Sequence, residues 1–237
     1  MSRSRPHESS DRNPATRWFE WNGEKGCIRY YDKDAKLTHD LPMPFTFVLL
    51  DQLGSVRGWH DASKSGIYSN EVKDSRQESL LVKSFKGGVL AEGIYRDIKD
   101  RVASQGGAYT ATLYCAYRGD DGLALGAVRF KGAALGAWAE FAKANRGAIY
   151  EQAIAVTGYT EGKHGRVTYR VPTFKVVPLS AESHEVATAL DAQLQDYLDA
   201  YLKRPTTQRV DEAQGGPSEP PDDPPYQPPV TDDDIPF

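Results

Sequence analysis

Nine of the 15 prolines fall between residues 205 and 237, which confines the fold to what precedes them. A proline ring fixes φ and removes the backbone donor. PSEPPDDPPYQPPV, residues 217–230, therefore suits neither a helix interior nor a central strand. The segment carries too few large apolar residues to offset the entropy of ordering it. The expectation is a flexible arm over 1–17, one folded body over 18–204, and a disordered, extended acidic tail over 205–237.

Within the body, strand patterns outnumber helical ones. CIRYYD (27–32) is strand-like, FTFVLLD (45–51) and SVRGWHD (55–61) meet across Gly54, and ESLLVKSFK (78–86) runs into the turn signal Gly87-Gly88. AYTATLYCAYR (108–118) alternates over its whole length, and GDDG (119–122) turns it into LALGAVRFK (123–131). AIYEQAIAVTGY (148–159) and RVTYRVPTFKVV (166–177) make a second pair around EGKHG (161–165).

Helical spacing is confined to three places. Ile94, Tyr95, Ile98 and Val102 share a face, as do Leu135, Trp138 and Phe141 within 133–145. After Ser180, a suitable N-cap, Val186, Leu190, Leu194, Tyr197, Leu198 and Tyr201 form a third stripe. The class is β-rich α+β. An OB-fold-like, partly open β-barrel with additional helices fits this order, since one helix lies between two groups of strands.

The polar opening, MSRSRPHESSDRNPATR, predicts no secretory leader, and no apolar run reaches membrane-spanning length. Cys27 and Cys115 are 88 residues apart and suggest no disulfide framework, which fits a reducing cytoplasm. No phosphate-binding glycine loop, nucleophile elbow or metal-ligand spacing occurs, so neither cofactor nor metal is expected. HEVAT (184–188) lacks the second histidine of a zinc-protease helix. Asp97 with Asp100, and Glu71 with Asp74, read as a solvated helix face and a turn. No catalytic constellation emerges, and the expectation is a protein without enzymatic activity.

The net charge of −4 conceals a partition. Residues 205–237 carry −7, whereas 25–175 carry +6. Such asymmetry points toward nucleic acid or charged partners. Alternation along the strands sets cations, some beside aromatics, opposite apolar residues. Arg57 and Trp59 oppose Val56. Tyr114 and Arg118 oppose Leu113 and Cys115. Arg129 and Lys131 oppose Val128 and Phe130, and Arg166 and Arg170 oppose Val167 and Tyr169. Lys83 and Phe85 share a face with Leu81. Cations that follow phosphates, with rings that stack on bases, are what sequence-independent binding of single strands requires. These ten residues are the expected contact set.

The chain closes with TDDDIPF. DDDIPF, 232–237, resembles the C-terminal tip of bacterial single-stranded DNA-binding proteins, and it likewise follows a proline-rich acidic spacer. The body does not resemble the bacterial protein. SNEVKD (69–74), GIYRDIKD (93–100) and KGAALGAWAEF (131–141) are instead similar to phage-encoded single-stranded DNA-binding proteins. The resemblance implies an OB-fold core with extra helices. It implies coating and protection of single strands in phage replication and recombination, inside the cytoplasm of a bacterial host. It also implies recruitment of host replication and repair proteins through the tip. No membrane partner is expected, and the sequence leaves a homo-oligomer open.

The tip makes physical sense as a docking peptide. Phe237 offers a ring and an α-carboxylate on one residue. Pro236 restricts the backbone before it and disfavours helix at Ile235, which adds a second apolar contact. Asp232, Asp233 and Asp234 attract a basic rim and make association salt-sensitive. A tail tethered beside a basic groove is also a competitor for that groove. Alternative readings are a recombination mediator or strand-annealing protein, a replication nuclease with a borrowed tail, and an adaptor that binds no DNA. The nuclease would gather Asp51, Asp61, Glu71 or Asp97 around a cleft.

Overall fold

A computed structural model of the chain describes residues 12–213. The described residues form β1 (Arg17–Asn22), β2 (Cys27–Asp32), β3 (Leu37–Asp40), β4 (Phe45–His60), β5 (Ser65–Ser69), β6 (Ser79–Ser84) and β7 (Gly88–Ile94). Then come α1 (Tyr95–Ser104), β8 (Gly107–Gly119), β9 (Gly122–Lys131), α2 (Gly132–Ala144), β10 (Ala153–His164), β11 (Val167–Val177), α3 (Ala181–Leu202) and α4 (Thr206–Glu212). The β-rich α+β class follows directly.

The strands form one large open mixed sheet in the order β3-β2-β1-β9-β8-β4-β5-β6-β7, with β10 joining β4 and β11 joining β10. Among the described residues only the β1–β9 pairing is parallel. β4 pairs with β8 from Phe47 to Gly58, while on its other side its first residues pair with β10 and its last with β5. The sheet curls so that β11 meets the β1–β2 turn, where the Arg170 N–H donates to the Gly23 carbonyl at 2.8 Å. The Trp21 indole donates to the Arg170 carbonyl, also at 2.8 Å. No ladder forms there. Pro172 is accommodated because β11 is an edge strand, paired only with β10.

β4 is one 16-residue strand, bulged between Leu49 and Asp51, rather than two strands meeting at Gly54. Gly54 instead provides space: a Cβ there would lie 2.0 Å from the Tyr109 hydroxyl. Gly58 is tighter against backbone, its built Cβ falling 2.1 Å from the Gly106 carbonyl oxygen. Backbone cannot swing aside as a side chain can. Gly58→Ala is expected to cost about 1–3 kcal/mol, read by urea denaturation. Gly147→Ala, with nothing near its added Cβ, is expected to leave stability unchanged.

The sheet has two buried faces. On one, Leu113, Cys115, Val128, Phe130, Phe47 and Ile154 pack beneath α2, with Trp138 and Leu135 wholly inside. On the other, Leu53, Tyr114, Leu125 and Ala127 pack beneath Leu194, Tyr197, Leu198 and Tyr201 of α3. Ser180 caps α3, its hydroxyl accepting from the Ser183 N–H at 3.2 Å.

Both predicted boundaries of the body shift. Asn13 donates to the Tyr114 hydroxyl at 2.8 Å and Thr16 to the Leu125 carbonyl at 2.9 Å, so the body begins before residue 18. At the other end, residues 206–212 are helical rather than disordered. Val210 is buried against Tyr68 and Leu81, and Arg209 donates to the Glu71 carbonyl at 3.1 Å. The remainder of the expected tail lies outside the described residues. No helix among the described residues is long and apolar enough to cross a membrane.

Candidate nucleic-acid interface

The second face of the sheet collects most of the expected contact set. In β4 the residues alternating with Val56 are Ser55, Arg57 and then Trp59. Across β8 and β9, Thr112 is opposite Arg129, Tyr114 opposite Ala127, and Thr110 opposite Lys131. Arg57, Trp59, Tyr114, Arg118, Arg129 and Lys131 therefore do share a face. What the alternation did not show is that α3 lies on it. Tyr114 is wholly buried and its hydroxyl donates to Glu71 Oε2 at 2.7 Å, so it is no stacking platform. Burial and the adjacent Glu71 charge both raise its pKa. Arg129 is buried too, its guanidinium stacked 4.0 Å from the Trp18 ring and 3.9 Å from Glu20. Arg118 stands exposed at the end of β8.

A strip at the β4–β6 end of this face is more open. Trp59 pairs with Gly66 of β5, and the Phe85 N–H donates to the Gly66 carbonyl at 3.1 Å. The Phe85 ring lies over Gly66, where a Cβ would come within 3.2 Å, and 4.7 Å from the Tyr68 ring. Phe85 remains 36% exposed and Trp59 half-buried. Lys83, opposite Tyr68, is on the same side, as is Arg57. Helix α4 borders the strip. Asp211 pairs with Lys83 at 3.0 Å, and the Ala213 carbonyl accepts from Arg57 at 3.5 Å. The first turns of the acidic segment thus already touch two of the predicted cations.

Arg166 and Arg170 are elsewhere. Arg166 is exposed in the turn joining β10 to β11. Arg170 has the same parity in β11 as Phe174, which packs on the core, so it is not opposite the apolar face as expected. Past the core it reaches over the β1–β2 turn, bonding the Glu24 carbonyl, 3.4 Å from Glu161 and 5.1 Å from the Tyr159 ring. The hairpin needed a closing contact with β1, and Arg170 makes it.

Between α3, α4, β1 and the second face lies a cleft of about 250 Å³. Arg12, Trp18, Arg57, Glu71, Arg129 and Tyr197 are among its lining residues. Sequence reasoning missed Trp18 as a site residue and named Glu71 only among the carboxylates of a nuclease cleft. The alternation in RWFEWN, with Phe19 and Trp21 in the core, carried a signal for Trp18 and Glu20 on the opposite face. Nothing signalled Glu71 as part of this cleft, because its place depends on Tyr114, Tyr201 and Arg209. The Tyr201 hydroxyl accepts from the Glu71 N–H at 2.8 Å. Arg57 has its pKa lowered to about 10, first by burial and then by Arg129, and stays charged at neutral pH.

The carboxylates that a nuclease would gather engage separate partners. Asp51 binds Lys73 and Gln195, Asp61 faces Lys64, Glu71 holds Tyr114, and Asp97 lies by Arg96. Among the described residues, no three His, Cys, Asp or Glu side chains are placed to hold a metal ion. Residues 232–237 lie outside the described residues. No protein-family model, curated protein or solved structure matches the chain.

Proposed function

We propose that this chain is a non-enzymatic, sequence-independent single-stranded DNA-binding protein of the phage-encoded kind, which also docks host replication and repair proteins through DDDIPF. The observation that carries the reading is the strip on β4–β6, where Arg57, Trp59, Lys83 and Phe85 lie together. Neighbouring cations and rings are what a strand needs, phosphates following the charges and bases stacking at about 1–3 kcal/mol each.

The body is read as an OB-type barrel built from β4, β8, β9, β10 and β11, with α2 between the third and fourth strands and β1 inserted beside the third. Such barrels bind oligonucleotides on their second and third strands and on the loops after the first and fourth. Here α3 covers the middle of β8 and β9. The strand is therefore assigned to the loop regions, namely the β5–β6 insertion with its strip and the β10–β11 turn with Arg166. The tail continues from Ala213, beside Arg57, which favours competition between tail and strand.

The test is fluorescence anisotropy of labelled oligo-dT over a salt series, with the full chain and a chain ending at Ala213. Tight binding that ignores duplex and weakens with salt is expected, since each neutralised phosphate contributes a slope of about −0.7. Removing 214–237 is expected to tighten binding at low salt. Absence of binding by both chains at low salt overturns the proposal.

A further inference from the structure

The cleft beneath α3 and α4 holds buried polar atoms that the fold leaves unsatisfied. Arg129 is 7% exposed and Glu71 5%, yet Arg129 Nε and Glu71 Oε1 have no hydrogen-bond partner among the described residues. Arg57 Nε, also buried, is in the same condition. Buried polar groups are nearly always paired, and the three residues that carry these orphans all line one cleft, which calls for an occupant. The two donors are cationic and the acceptor is anionic. The occupant must therefore carry an acceptor-rich anion at one end and a hydrogen-bond donor at the other.

The charges around the cleft sharpen this. Glu20 lies near Arg129, and Glu212 is bonded to Arg204. Glu71 Oε2 is taken by Tyr114. Arg57 has no carboxylate of a described residue within ion-pair range, and its hydrogen bond to the Ala213 carbonyl is long, at 3.5 Å. Arg12 adds a third guanidinium to the wall. Arginine forks match phosphate oxygens, which accept several such bonds at once. Trp18 and Tyr197 add aromatic walls, each with one face already covered, Trp18 by Arg129 and Tyr197 by Tyr201. Size sets the limit: about 250 Å³ lies below the usual span of roughly 300–1,000 Å³ for ligand sites. One nucleotide is the most it takes.

We propose that this cleft binds a nucleoside monophosphate, its phosphate at the Arg57 and Arg129 guanidinium groups and its base on the Glu71 side. The monophosphate is either a free nucleotide or the phosphorylated end of a strand. This rests on the reading above for the strand-end source alone. It adds a specific end or nucleotide site to a surface that otherwise ignores sequence.

Calorimetry on the full chain with dAMP, inorganic phosphate and deoxyadenosine tests the site. Binding of dAMP is expected, at least tenfold tighter than inorganic phosphate, with none detectable for deoxyadenosine. Arg57→Gln is expected to weaken dAMP at least tenfold while its melting curve matches the parent. Oligo-dT with and without a 5′-phosphate separates the sources. Tighter binding of the phosphorylated strand, abolished by excess dAMP, identifies a strand end; dAMP binding with no such difference identifies a free nucleotide. If oligo-dT binds but dAMP does not and the 5′-phosphate changes nothing, the cleft proposal falls and the strand reading survives. If dAMP binds and oligo-dT does not, the reverse holds. Equal dAMP affinity in a folded Arg57→Gln overturns the assigned phosphate site.

Discussion

Replacing Trp138 with alanine is expected to destabilise the protein by about 3–5 kcal/mol. Trp138 is the largest wholly buried side chain, and α2 delivers it onto the β8–β9–β11 side of the core. Its ring lies 5.5 Å from Phe174, 6.2 Å from Phe130 and 6.4 Å from Phe47. These rings come from β11, β9 and β4, so the indole joins strands that do not pair with one another. The cavity left by alanine would be bounded by strands already held in ladders, which limits collapse. The indole also donates to Gln52 Oε1 at 2.8 Å. Trp138→Phe keeps most of the volume and removes that bond, so about 1–2 kcal/mol is expected. Urea unfolding of both variants separates packing from hydrogen bonding. Equal losses would mean that the bond, not the packing, dominates.

A chain ending at Arg204 is expected to lose about 2–4 kcal/mol, while one ending at Ala213 keeps the parent stability. The proline content from residue 205 onward makes both truncations look equivalent. They differ by α4. Val210 is 0% exposed between Tyr68 and Leu81, and burying a valine contributes about 1.5–3 kcal/mol. Arg209 adds its bond to the Glu71 carbonyl, and its guanidinium carbon lies 5.8 Å from the Tyr201 ring. Asp211 with Lys83 is mostly exposed on the acid's side and contributes little. The shorter chain should melt roughly 4–16 °C lower. It would also uncover Tyr68 and free Lys83, so its strand affinity would mix loss of α4 with loss of the tail. Coincident melting curves for the two truncations would mean that α4 adds nothing to the fold.

Much of the local structure was determined by sequence. The alternation in AYTATLYCAYR and LALGAVRFK, with GDDG between, becomes β8, β9 and their turn, because one face of that pair must be apolar whatever covers it. The spacing of Leu194, Tyr197, Leu198 and Tyr201 identifies a helix with a face to bury, and Ser180 begins it because its hydroxyl satisfies a free N–H. Gly54 misled. A glycine between two apolar runs reads as a junction, whereas its role is to admit the Tyr109 hydroxyl, a neighbour 55 residues away.

Only the tertiary structure decided what lies on the second face of the sheet. Period-two alternation assigns Tyr114, Arg129 and Arg57 to one side but carries no information about what packs there. The face of α3 has no address in its own sequence, and it settles on Leu53, Leu125 and Ala127 because those small and apolar positions match its stripe. That docking removes Tyr114 from solvent, buries Arg129 against Trp18, and creates the cleft. The same reason hides α4: a single valine and a single arginine make no period, and they order a helix only where Tyr68, Leu81 and the Glu71 carbonyl wait for them.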